Sequence, residues 1–213
     1  MDLLAAFVDI VLHLDAHLLA LTQQYGMWVY AILFLIIYCE TGLVITPFLP
    51  GDSLLFVAGA LCGMGALQLE LLVPLLVLAA FSGDNTNYWI GRLIGMRLLS
   101  RPNAKLIKRE HLDKTHAFYE KHGGKTIIFA RFLPIIRTFA PFVAGIGLMR
   151  YRLFMLFSAL GSVLWITSLA VAGYLFGNIP LVKNNLTLII IGIIVVTLLP
   201  ALRELIRHRK PAA

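Results

Sequence analysis

Apolar and polar positions along this chain fall into blocks too long for strands, and the blocks lay out a row of helices. Residues 2 to 24 place Asp2, Asp9, His13, His17 and Gln24 on one narrow helical face, with Asp15 outside it. That pattern predicts an amphipathic helix lying in a membrane interface. Met27 to Cys39 is an uncharged apolar run, too short to span alone, that leads into Glu40 and Pro47. It reads as the first arm of a hairpin, with Pro50-Gly51 as the turn and Ser53 to Leu61 as the returning arm. Leu71 to Ile90 is long enough to cross a bilayer, yet its second half holds Ser82, Asp84, Asn85, Thr86 and Asn87. These groups must face protein, because lipid cannot satisfy their hydrogen bonds. Arg92 to Lys125 holds 9 of the 18 lysines and arginines, which marks it as a cytoplasmic loop. Within it, Lys105 to His122 predicts a surface helix anchored by Leu112 and Phe118. Leu153 to Phe176 and Leu186 to Leu202 are uncharged runs that each predict a span.

One stretch breaks this rhythm. Arg131 to Gly145, RFLPIIRTFAPFVAG, sets two arginines and two prolines in an apolar background. Pro134 and Pro141 each lack an amide hydrogen and clash with the preceding turn, so an interrupted helix is expected. Broken backbone at membrane depth is tolerated only where protein or a water-filled cavity surrounds it. An arginine at the bilayer centre costs about 2.5 to 3.5 kcal/mol, so Arg131 and Arg137 predict a partner or a pathway. Counting crossings points the same way. Lys125 and the tail with Arg203, Arg207, Arg209 and Lys210 are both cytoplasmic by charge, so an even number of crossings separates them. The two long runs supply that number, which makes 126 to 149 a re-entrant hairpin and keeps Arg150 and Arg152 cytoplasmic.

The stretch has an earlier echo. Phe-Leu-Pro occurs at Phe48 to Pro50 and Phe132 to Pro134, Phe-Val-Ala-Gly at Phe56 to Gly59 and Phe142 to Gly145, and paired glycines at Gly91/Gly95 and Gly173/Gly177. Three matches in one order predict an internal duplication. Proline-interrupted segments in corresponding places of two halves point to a transporter-type binding site. The expected fold is therefore an all-α integral membrane protein, one domain over 1 to 213, built as an inverted repeat. Repeat 1 covers about 1 to 95 with its hairpin at about 27 to 61; repeat 2 covers about 105 to 177 with its hairpin at about 126 to 149. Two re-entrant hairpins, about three full transmembrane helices including one at about 186 to 202, and amphipathic interfacial helices complete it. An inverted repeat would open the first hairpin on the periplasmic face. A leading segment without lysine or arginine suits that side, although a cytoplasmic N-terminus stays open.

Composition narrows the class. With mean hydropathy +0.87 and 14% charged residues, the 213-residue chain lacks the polar surface of a soluble domain. Its net charge of +7 follows the membrane edges and forms no aromatic-interleaved basic face, which excludes nucleic acid. No basic n-region or small-residue cleavage site precedes the first apolar block, so no removed signal peptide is expected. Cys39 and Cys62 are isolated and read as packing residues. His13 and His17 have the spacing of a metal pair without a third ligand and read as a solvated stripe. No metal and no cofactor are expected. Asp52 or Ser53 can cap the returning helix, and Asp52 beside Glu40 reads equally as a proton or ion site. Asp84 reads as an internal hydrogen-bond or ion-pair partner and, with Asn87 and Ser53, makes up a secondary polar set.

At Glu40, TPFLPGD, GDNTNYWIGR and ARFLPIIRTFAPFVAG, the chain resembles the DedA family of bacterial inner-membrane proteins, related to eukaryotic VTT-domain lipid scramblases. The likeness runs from about Gly26 to Arg209. It implies a multi-pass protein of the bacterial inner membrane, with a cytoplasmic C-terminus by the charge rule. It also implies transport of polyprenyl phosphates or phospholipids, including the return of undecaprenyl phosphate across the membrane, with a link to the proton motive force. The family's acidic pair maps onto Glu40 and Asp52, and its arginine pair onto Arg131 and Arg137.

The leading expectation is a flippase for a lipid phosphate. A small anionic head on a long apolar tail matches an arginine site open sideways to lipid, and a guanidinium offers a planar fork suited to phosphate oxygens. Thr138 and the amides near Thr138 to Phe142 add partial positive charge if the returning half-helix starts there, less the donor missing at Pro141. Glu40 and Asp52 are the expected proton carriers. A proton-coupled small-ion or drug antiporter and a phospholipid scramblase are the alternatives. A membrane phosphatase needs Lys/Arg-Pro and Ser-Gly-His motifs, but Arg131 is followed by Phe-Leu-Pro and Ser82-Gly83 by Asp84, so no enzyme is expected. A scaffold role remains beside transport: Glu40 or Asp52 pairing with Arg131 or Arg137 to hold the hairpins together. Partners are the lipid phosphate or phospholipid, protons and membrane lipids, and a homo-oligomer is compatible with all of this.

Overall fold

The computed structural model describes residues 14–43, 51–99 and 124–177 together with Ile179 and Gly192. Among these, all regular structure is helical. The helices are α1 (Leu14–Tyr25), α2 (Trp28–Gly42), α3 (Gly51–Gly63), α4 (Leu69–Leu99), α5 (Lys125–Arg131), α6 (Pro134–Ile146) and α7 (Tyr151–Gly177). The surface helix expected over Lys105 to His122, the span over Leu186 to Leu202, the basic tail, the Thr46 to Pro50 turn, and Asp2, Asp9 and His13 lie outside the described residues.

By length and composition α7 and residues Leu69–Met96 of α4 suffice to cross a membrane. At about 1.5 Å per residue, the 31 residues of α4 and the 27 of α7 run about 46 and 40 Å, past a hydrocarbon core of about 30 Å. Along α4 the buried positions Leu72, Leu76, Ala79, Ala80, Gly83, Asp84, Asn87, Tyr88, Gly91 and Gly95 follow the helical repeat in one stripe. Small residues in that stripe let other backbones come close. Its polar members answer the expectation that Asp84 and Asn87 face protein. Arg92 is not the start of a loop, because α4 continues to Leu99.

The chain divides into two compact units. One comprises Met1–Phe34, Phe48–Leu75 and Ile166–Ala213; the other comprises Leu35–Pro47 and Leu76–Trp165. In the first, α3 packs on α1 and is buried along almost its whole length, from Ser53 to Cys62. A helix apolar on every side is stable only when enclosed in this way. Tyr30 Oη accepts the Gln68 amide at 2.8 Å, fixing α2 against the entry to α4.

In the second unit α5 packs on α6. The break between them falls at Phe132 and Leu133. Leu133 is extended (φ −115°, ψ 107°) and Pro134 opens α6 at its first turn. A proline forces the residue before it out of the helical region and is itself well placed at a helix start. Pro141 was expected to interrupt the helix as well, yet α6 runs through it to Ile146. Its neighbours Ala140, Ala144 and Gly145 are buried on the packed face, and that contact outweighs the lost hydrogen bond.

The sequence echoes reappear as one contact, made once in each unit. A Cβ placed on Gly173 falls on the Phe56 carbonyl, one on Gly177 meets Ala60, and one on Gly59 falls on the Ala170 carbonyl. In the other unit Gly91 faces the Phe142 carbonyl, Gly95 meets Ile146, and Gly145 faces the Tyr88 carbonyl. Each Phe-Val-Ala-Gly helix therefore rests backbone to backbone on a glycine pair.

Candidate functional site

The second unit buries a polar cluster beside an apolar core that includes Tyr88, Ile127 and Phe154, and it presents large apolar side chains at its surface. On α6, Arg137 and Thr138 are buried while Ile136, Phe139 and Val143 are exposed; on α5, Arg131 is buried while Phe129 is 71% exposed. In water this arrangement would be unstable, whereas lipid on the outside reverses the preference.

Five helices carry the polar interior. α2 supplies Glu40 near its C-terminal end, α4 supplies Asp84 and Asn87, α5 ends on Arg131, α6 supplies Arg137 and Thr138, and α7 supplies Ser158, Ser162 and Trp165. Each is at most 7% exposed. Arg131 forms an ion pair with Asp84, and Arg137 one with Glu40. The Arg131 guanidinium also donates from Nη2 to Ser162 Oγ at 2.8 Å. Ser158 Oγ donates to Asp84 Oδ2 at 2.6 Å, and Ser162 Oγ donates to the Ser158 carbonyl at 2.7 Å. One indole serves both cations: Arg131 Cζ lies 5.6 Å and Arg137 Cζ 4.7 Å from the Trp165 ring centroid. Such contacts contribute about 0.5 to 2 kcal/mol each.

Asn87 ties this cluster to the backbone. Its amide nitrogen donates to the Thr41 carbonyl at 3.0 Å and to the Thr138 carbonyl at 2.7 Å, so it joins the end of α2 to α6. Two carbonyl acceptors on one side fix the orientation of the amide group. Asn87 Oδ1 is buried and accepts no hydrogen bond. Around the site, Tyr38 and Thr86 hydroxyls meet at 2.9 Å, and Tyr151 donates to Asn85 at 2.9 Å. Tyr88 stacks on Phe154 with centroids 4.4 Å apart, donates to the Met149 carbonyl at 2.5 Å and accepts from Arg92 at 2.7 Å.

The sequence-predicted residues divide between the units. Glu40, Asp84, Asn87, Arg131, Arg137 and Thr138 come together in this one. Asp52 and Ser53 belong to the other, in the first turn of α3, where a carboxylate favours the positive helix end. Asp52 stands inside that turn rather than before it, so it is not the cap residue. The carboxylate paired with Arg131 is Asp84, which sequence reading held as a secondary group. The expected amide site at Thr138 to Phe142 is corrected too. α6 starts at Pro134 and the Arg137 amide already bonds to the Leu133 carbonyl at 2.8 Å, so those amides lie within the helix. Ser158, Ser162 and Trp165 were not anticipated. They recur on one face of α7, but an uncharged run hides them unless it is read by helical period.

Comparison with known proteins supplies the family. The VTT domain matches residues 49–175. Protein DedA of Escherichia coli strain K12 is 59% identical over 215 residues, covering 100% of this chain and 98% of that one. The uncharacterized membrane protein Rv0364 of Mycobacterium tuberculosis H37Rv is 45% identical, covering 79% of this chain and 74% of its own. Inner membrane protein YqjA of Escherichia coli K12 is 31% identical, covering 84% and 81%. No solved structure matches. A VTT domain, full-length similarity to a DedA protein and a charged interior under an apolar surface lead to one conclusion: this chain is a membrane protein of the DedA family.

Proposed function

We propose that the chain moves a lipid phosphate, undecaprenyl phosphate above all, across the bacterial inner membrane without changing it chemically. The observation that supports this reading is the pair of buried guanidiniums over Trp165, each held by a carboxylate, inside an apolar chain. A charge at this depth is costly to keep. A planar guanidinium matches phosphate oxygens better than any other side chain does. On this reading the chain is an inverted repeat of residues about 1 to 95 and about 105 to 177, α5 and α6 form a re-entrant hairpin, and Glu40 and Asp52 carry protons coupled to transport. The chain then crosses the membrane several times and ends in the cytoplasm.

The test is arginine replacement by lysine, which keeps charge and loses the five-donor fork. Arg131→Lys and Arg137→Lys should stay folded yet bind polyprenyl phosphate at least about tenfold more weakly, about 1.4 kcal/mol. Variants that lose thermal stability without selective loss of lipid binding would make the charges a scaffold instead. The antiporter alternative separates in vesicles: cation flux driven by a pH gradient without lipid movement would favour it. Lipid transport indifferent to a collapsed pH gradient would remove the proton role from Glu40 and Asp52.

A further inference from the structure

Resting on the reading of this cluster as a phosphate site, we infer that Asp84 occupies the seat the phosphate takes, and that Ser158 is a ligand-binding residue behind it. The seat consists of Arg131 Nη2 and the Ser158 hydroxyl, both of which donate to the same oxygen, Asp84 Oδ2. Phosphate and carboxylate oxygens accept from the same donors. If Asp84 swings away, the donors stay where they are. Ser162 still accepts from Arg131 Nη2 at 2.8 Å, and Ser162 is itself anchored on the Ser158 carbonyl, while Trp165 still faces the guanidinium at 5.6 Å. The vacated place is then a preformed anion seat built by α5 and α7.

Charge balance says why Asp84 must yield. The charged groups of the cluster are Arg131 on α5, Arg137 on α6, Glu40 on α2 and Asp84 on α4, and with all four ionised they cancel. An added phosphate would leave uncompensated negative charge in an apolar surround, which is strongly unfavourable. Asp84 therefore leaves its pair as the neutral acid, taking up one proton as the phosphate enters, and no bond is made or broken otherwise. Asp84 sets the affinity of the site by competing for it, which also keeps the empty site stable and lets the lipid leave.

The experiment compares the parent chain with Asp84→Asn in detergent, using farnesyl phosphate as the probe. Asp84→Asn should bind it at least about tenfold more tightly, about 1.4 kcal/mol, and gain more thermal stability from it than the parent does. Adding Ser158→Ala to that variant should abolish most of the gain. Weaker binding by Asp84→Asn, with the parent still binding, would make Asp84 a strut and overturn the inference while leaving the phosphate reading intact. No binding by either folded protein would overturn both. If Asp84→Asn does not fold, infrared difference spectra of the parent decide. Farnesyl phosphate should bring up a neutral carboxyl band, and its absence with the probe bound would overturn the displacement.

Discussion

Tyr88 shows how one side chain fixes the frame around the charged cluster. Its hydroxyl closes the turn between α6 and α7 through the Met149 carbonyl, at a point where Leu148 holds a positive φ of 54°. Backbone of that kind persists only when its surroundings over-determine it. Tyr88→Phe keeps the stack on Phe154 but strands a buried carbonyl, so we expect a loss of about 1 to 3 kcal/mol in thermal unfolding in detergent. An unchanged melting temperature would mean that the aromatic stack alone holds the turn. The charged residues of the cluster were readable from sequence because each is conspicuous in an apolar run. Their pairing was legible only in part: Glu40 with Arg137, 97 positions apart, is one of the four pairs the sequence left open, while Asp84 with Arg131, 47 apart, is not among them. No local pattern says which carboxylate meets which arginine. Trp165 and the two serines carry no charge and merge into their run.

At the scale of helices, the glycine contacts decide what can pack. Gly91 and Gly145 press against backbone atoms that cannot rotate aside, unlike a flexible side chain. Gly91→Ala and Gly145→Ala should each cost about 1 to 3 kcal/mol or more by overpacking, and Gly173→Ala should do the same in the other unit. A melting temperature equal to the parent's for any of the three would show that its helices move apart freely. Helix existence was legible here because apolar runs and their length govern it. Helix ends were less so. Past Arg92 a charged residue continues α4 by laying its guanidinium within 6.0 Å of the Tyr88 ring centroid and 5.8 Å of that of Trp89, and at Pro141 tertiary packing overrides a local breaker.

For the molecule as a whole, the inside-out arrangement of α5 and α6 is what a lipid surround imposes, and the re-entrant reading gives it a sidedness. Lys125 and Arg150, both exposed, flank that pair of helices. Cysteines placed at these two positions should react alike with an impermeant reagent added outside intact cells. Labelling at 150 without labelling at 125 would show that the intervening chain crosses the membrane.

The twin glycine contacts also bear on stoichiometry. Counting back from the glycines, the place seven residues before Gly91 is Asp84 and the place seven before Gly173 is Ile166; four before, Asn87 is matched by Leu169. Counted from Gly145 and Gly59, Arg137 is matched by Gly51 and Thr138 by Asp52. The two frames are thus copies in their backbone contact and unlike in their chemistry: one holds two ion pairs, while the other has aliphatic side chains at two matched places and a carboxylate at a third. A duplicated chain would be expected to offer two equivalent sites. On the proposed function the described residues offer one such seat, so binding should saturate at one phosphate for each polypeptide.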